Sequence, residues 1–264
     1  MSWLVLLGWT LASFLGLNAV LYGLALFRGG ALDIVSLGGA EALVYISCTF
    51  LVLLVHDRGG ALRNSLGLRP THPGLALGGV GLGLCLKIPV ESLAAYIEAW
   101  FPNTDQELLS RATLYRTENL GDVLGLLAIL CVVAPLVEEL LFRGALYGRL
   151  ARLSPVQAGV GSGLAFVLVH PDPRHFLPLI LVAAALSYLR VVSGSLLPGL
   201  CLHVAFNSAG VLALVAGWAS PTRSPSVPAP LLVGSWITAF VLLLLLLRLA
   251  DKPDVVRARL EDRA

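Results

Sequence analysis

Charge is what this sequence has least of. Only 13% of its 264 residues are Asp, Glu, Lys or Arg, while 57% are hydrophobic, and the mean hydropathy is +0.86. That balance places the chain among integral membrane proteins. The net charge of +2 needs no nucleic-acid partner, because membrane proteins retain Lys and Arg on their cytoplasmic side. Cysteine is also scarce. Cys48, Cys85, Cys131 and Cys201 all lie in apolar runs, and none has the CxxC spacing of a disulfide framework or a zinc-thiolate site. They read as small core hydrophobes. There is no G-x-S-x-G elbow for a nucleophilic serine and no H-E-x-x-H zinc motif. Ser162 stands in Gly161-Ser162-Gly163 without a basic neighbour and reads as a helix-packing small residue. The N-terminus lacks a basic n-region, and Trp3 to Phe27 is longer than a signal-peptide core, so it reads as a retained first helix.

What is present is a series of long apolar runs. Eight candidate spans fall at 3–27, 37–55, 74–99, 122–148, 156–170, 178–192, 196–217 and 231–249. The fifth and sixth are short, as helices that tilt or stop inside the protein would be. The segment from Phe101 to Gly121 places Leu108, Ala112 and Tyr115 at helical spacing among polar residues, which predicts a short amphipathic helix at the interface. No internal repeat or separate soluble domain is visible. The expected fold is therefore all-α, a polytopic transmembrane bundle of about eight spans in one domain, 1–264. Its motif core is 122–217, and its charged tail, 251–264, is expected to be cytoplasmic. With an even number of spans, eleven Lys and Arg share the side of the termini and five the other. Both termini are then expected in the cytoplasm of a bacterial-type cell.

Few polar residues interrupt the spans, and each needs a reason. Glu138 and Glu139 stand side by side in the fourth, with Arg143 one turn beyond. Glu139 and Arg143 share a helix face and suit an ion pair, while Glu138 is rotated about 100° away. His170 ends the fifth span, and His203 and Asn207 lie four apart in the seventh. Lys87 and Glu91 flank Pro89 in the third. They read as an internal ion pair, with a cavity wall as the second reading. Glu41, near the start of the second span, reads as a snorkelling or capping residue. One acid pair, two histidines and an amide on three helices make a hydrolytic set. A carboxylate can take a proton from water that a histidine helps hold, while a second histidine and an amide can stabilise an oxyanion. Two His and one Glu are also a catalytic zinc set, so Glu138, His170 and His203 could instead be metal ligands. Attack by water without a metal is the preferred reading; no cofactor is favoured, and zinc is the alternative.

The constellation resembles the family of CAAX proteases and bacteriocin-processing membrane proteases (CPBP, also called the abortive-infection family). Its marks are E-E-x-x-x-R, F-x-x-x-H and H-x-x-x-N. They stand here as Glu138-Glu139-Leu140-Leu141-Phe142-Arg143, Phe166 to His170, and His203 to Asn207. The wording around them is similar as well, in Glu138 to Leu150, in Gly194 to Pro198 and in Leu66 to Pro70. The resemblance implies that Glu138 is the general base, that His170 shares its water, and that His203 and Asn207 form the oxyanion site. It gives Glu139 and Arg143 supporting roles and makes Phe166 a packing residue. The expected activity is an intramembrane endopeptidase of glutamate type, acting on a membrane-anchored or lipidated protein or peptide near its C-terminus or a membrane segment. The alternatives are a zinc peptidase with the same residues, a non-catalytic membrane scaffold or chaperone of the same fold, and a transporter, although no inverted repeat is visible.

Overall fold

A computed structural model describes residues 1–30, 32–56, 62–150, 154–222 and 227–250. The charged tail expected at 251–264 lies outside the described residues. The described part is a polytopic helical bundle. Its helices are α1 (Trp3–Arg28), α2 (Ile34–His56), α3 (Leu62–Leu66), α4 (Pro73–Trp100), α5 (Asp105–Leu114), α6 (Leu120–Leu150), α7 (Pro155–Leu168), α8 (Phe176–Ser193), α9 (Leu197–Val215) and α10 (Ala229–Ala250). A single 3-10 turn, Pro173–His175, leads into α8.

Seven of these are long and apolar enough to cross a bilayer, one fewer than the eight spans expected. The difference is α7, which has 14 residues and is ~21 Å long, short of a ~30 Å hydrocarbon core. Proline sets both limits. Pro155 opens the helix, and Pro171 and Pro173 follow its end, where a preceding residue is steered away from helical angles. The chain still passes between the two ends of the bundle eight times. At one end the Met1 ammonium donates to the Arg149 carbonyl, and Leu196 N and Ser195 Oγ donate to the carbonyls of Gly67 and Arg69. At the other end Arg111 pairs with Glu98 and Asp172.

The expected amphipathic helix is α5. Thr104 and Glu107 form a reciprocal capping box at its start. Arg174 donates to Glu107 at 2.6 Å. That bond, with those from Thr104, holds the Glu107 carboxyl down to about 2. Asn119 and Asp122 cap α6 in the same reciprocal way.

Helix α4 is the spine of one half, packed on α8, α9 and α10. Gly83 lets α9 approach closely, since a Cβ there would strike the Leu202 carbonyl oxygen. At the other half α2 and α7 pack on α6. Gly67 has φ +68°, and a Cβ on it would run into the Arg190 guanidinium. That turn folds α3 against α6 at Gly144 and Gly148.

Candidate functional site

Helix α6 is wound as a π-helix over Leu127–Val133 and again over Leu140–Leu146. The α-helical turn between them, Ala134–Glu139, carries both glutamates. Wide turns of this kind cost helix geometry and concentrate at functional sites.

Here the two acids do not go separate ways. His203 of α9 lies between them. Its Nε2 is 3.3 Å from Glu138 Oε2, and its Nδ1 is 3.1 Å from Glu139 Oε1. Arg143 Nη1 reaches the same Glu139 oxygen at 3.1 Å. All four side chains are buried, and Glu139 and Arg143 are fully so. A neutral imidazole has one N–H, yet both ring nitrogens of His203 face carboxyl oxygens. Satisfying both contacts takes one more proton, on the ring or on a carboxyl. Arg143 balances Glu139, and its Nη2 also donates to the Ala183 carbonyl at 3.5 Å.

Phe166 joins the remaining histidine to this cluster. The Arg143 guanidinium lies over its ring at 4.5 Å. Its edges meet His170 and His203 at centroid distances of 4.9 and 5.8 Å. His170 Nδ1 lies 2.7 Å from the Phe166 carbonyl, which can only accept, so Nδ1 carries the hydrogen. In the neutral ring Nε2 is then a bare acceptor. Tyr45 and Phe142 extend the aromatic row behind Phe166.

Asn207 is placed differently. Its Nδ2 donates to the Leu130 carbonyl at 2.8 Å, inside the first π-helical segment. Its amide is turned to α6 and not to Glu138 or His203, although it lies one turn from His203 on α9. It lines a cavity of about 340 Å³ together with Lys87 and Glu91.

Glu41 departs from the snorkelling or capping role expected for it. Its carboxyl faces that of Glu138 within hydrogen-bonding reach, neither snorkelling nor capping. Helix α2 begins at Ile34, so Glu41 sits about two turns inside it. The available signal was that a carboxylate at such a depth needs a partner. Lys87 and Glu91 do form the expected ion pair, at 2.9 Å, and also stand on a cavity wall, so the two readings of them coincide.

As for metal, Glu138 and the two imidazoles are the donors chemistry would select. The Nε2 and Nδ1 of His203 already face carboxylates, and His170 Nδ1 faces a carbonyl. Among the described residues no group of three His, Cys, Asp or Glu side chains is spaced to hold a metal ion.

Residues 120–209 match the family model described as Rce1-like, type II CAAX prenyl endopeptidase. The stretch contains all three motifs, and the resemblance read from them holds over it. Neither a curated protein nor a solved structure matches the chain.

Proposed function

We propose that this chain is an intramembrane endopeptidase of the CAAX type, cleaving a peptide bond near the C-terminus of a lipidated or otherwise membrane-anchored protein. One observation carries the reading: Glu138, backed by His203, Glu139 and Arg143, is buried among transmembrane helices inside the segment that matches the family.

Glu138 is the general base. A water held between its carboxylate and the bare Nε2 of His170 attacks the scissile carbonyl carbon, and its proton passes to Glu138. The carbonyl electron pair moves to oxygen, and the oxyanion is received by an amide N–H of Asn207 and by the Nε2–H of His203, which turns to it from Glu138 as that carboxylate takes up the water proton. Asn207 has a second amide hydrogen for this, since the Leu130 carbonyl takes only one. Collapse breaks the C–N bond, and Glu138 returns the proton to the leaving amine. Water and peptide become a carboxylic acid and an amine, which settle as carboxylate and ammonium by passing one proton between them, and the base is restored. Glu139 and Arg143 position His203 without touching the substrate.

An anchored substrate arrives from the side. Between α7 and α8 lies a groove of about 370 Å³ lined by small and apolar residues such as Gly159, Gly163, Val167 and Ala184. It suits a hydrocarbon chain lying beside Ala183, whose carbonyl holds Arg143. In the same reading both termini face the cytoplasm of a bacterial-type cell membrane, following the bias of basic residues.

The test is cleavage of a peptide carrying a prenylated cysteine and a three-residue aliphatic tail, in detergent, by wild type and Glu138→Ala. Loss of cleavage in the variant with an unchanged unfolding temperature is expected. Equal cleavage by both proteins would remove the assignment.

A further inference from the structure

Helix α2 meets the site through a face that none of the three motifs includes. Gly38, Glu41 and Tyr45 stand three and four residues apart and so share that face. Both neighbours of Glu41 on it are fixed against α6. Gly38 has no room for a Cβ, which would strike the Ile129 side chain, and the Tyr45 ring meets Phe142 edge to face at 5.7 Å. Val35, three residues before Gly38, lies against Gly125. The contacts advance in the same order along both helices, so α2 and α6 run side by side in one direction. Glu41, between Gly38 and Tyr45, therefore faces the stretch between Ile129 and Phe142, where Glu138 stands. The two carboxyls are within hydrogen-bonding reach.

Two carboxyls form a hydrogen bond only through a proton that one of them keeps, since an ionised carboxyl has no donor. The surrounding charges say which one keeps it. Arg143 is paired with Glu139 at 3.1 Å, and His203 Nε2 stands 3.3 Å from Glu138. Among the described residues no Lys or Arg side chain reaches Glu41, whose ionisable neighbours are Tyr45, Glu138 and His203. The supported anion is then Glu138, and the proton stays on Glu41. A general base needs that division, because only an ionised Glu138 takes a proton from water.

We propose that Glu41 is a positioning residue for the reaction: its protonated carboxyl donates a hydrogen bond to the Glu138 carboxylate and holds that base in the orientation that meets the water. A hydrogen bond to a charged oxygen is short and strong, so it fixes a carboxylate rotamer that would otherwise turn. Glu41 keeps its proton throughout, and Glu138 alone exchanges one with the water and the leaving amine. The positioning role rests on the endopeptidase reading above, whereas the proton-sharing pair does not.

Kinetics and infrared spectroscopy test the two parts separately. Glu41→Leu removes the donor, and kcat is expected to fall ~10- to 100-fold with KM within about twofold of wild type, the scale of a misplaced catalytic group. Glu41→Gln offers an amide N–H in the same place and is expected to hold kcat within about threefold of wild type. An unchanged kcat in Glu41→Leu, a loss carried by KM, or a Glu41→Gln variant no better than Glu41→Leu overturns the proposal. The infrared measurement requires no turnover. The C=O stretch of a protonated carboxyl is expected in substrate-free wild type, lost in Glu41→Gln and shifted in Glu138→Gln, where the acceptor changes. That pattern in a protein that cleaves no peptide supports the pair and removes only the peptidase reading. If Glu41→Gln takes no such band away, the proton is not on Glu41, and the proposal falls whatever the kinetics.

Discussion

Asn207 donates a 2.8 Å hydrogen bond to the carbonyl of Leu130, which ties α9 to a π-helical segment of α6. The bond fixes the direction of the amide one turn beyond His203. Asn207→Asp puts an acceptor against that carbonyl. We expect a loss of about 1–3 kcal/mol of stability, the cost of an unsatisfied buried partner, and a fall in kcat of ~100-fold or more from the lost oxyanion donor. Thermal unfolding and steady-state kinetics on the same preparation test both. An unchanged kcat would take Asn207 out of the oxyanion site.

The Glu139–Arg143 pair is fully buried, so breaking it should cost more than removing it. Arg143→Met leaves an uncompensated carboxylate and is expected to cost about 3–5 kcal/mol. Adding Glu139→Gln should restore a large part of that. A double-mutant cycle of unfolding in detergent gives the coupling, and strictly additive losses would show that the two residues act independently.

Glu107 gives a pH signature. Its carboxyl is held at about 2 by Arg174 and Thr104, against an ordinary 4.5. A carboxyl with a depressed folded value adds stability above its unfolded value and loses it as pH falls through the folded one. The gap in unfolding temperature between wild type and Glu107→Gln should be full above about pH 4.5 and close toward pH 2. Glu107 is solvent-exposed, so the gap should also shrink in high salt. A gap that persists below pH 2 would mean that Glu107 acts other than by its charge.

The two ring nitrogens of His203 are engaged by carboxylates, which leaves no lone pair on the ring aimed at a vacant position. Proteolysis should therefore withstand chelators, and elemental analysis of active protein should find no stoichiometric zinc. Stoichiometric zinc together with chelator-sensitive cleavage would move Glu138, His170 and His203 to the role of metal ligands.

Gly83 sets how closely α4 and α9 approach, against the backbone oxygen of Leu202. Gly83→Val should push α9 away, carrying His203 with it. The expected result is a lower unfolding temperature and a drop in activity with all motif residues present. Normal activity in this variant would show that α4 does not determine the position of α9.

Much of the fold was legible in the chain because the bilayer leaves few choices. Long apolar runs must become helices to satisfy their backbone groups, so the bundle follows from composition and length, while the expected eight spans became seven long ones and the short α7. The Glu139–Arg143 pair and the α5 helix follow from spacing alone, since neighbours three and four apart on a helix meet without help from the tertiary structure.

The tertiary structure decided what meets across helices. From a regular 3.6-residue turn, Glu138 and Glu139 point about 100° apart and have separate tasks. In the bundle a single imidazole from α9 fits between them, and two π-helical stretches border the turn that holds both. Glu41 was misplaced for a related reason: its depth depends on where α2 starts, and its partner comes from another helix. For Lys87 sequence spacing shows the pair with Glu91 directly, and only the packing of α4 on α9 shows that the cavity wall, the second reading, holds as well. Local periodicity determines helices and the pairs along them. Which faces turn toward one another is settled by side-chain packing between segments far apart in the chain, and that packing brings the acids and the imidazoles to one region.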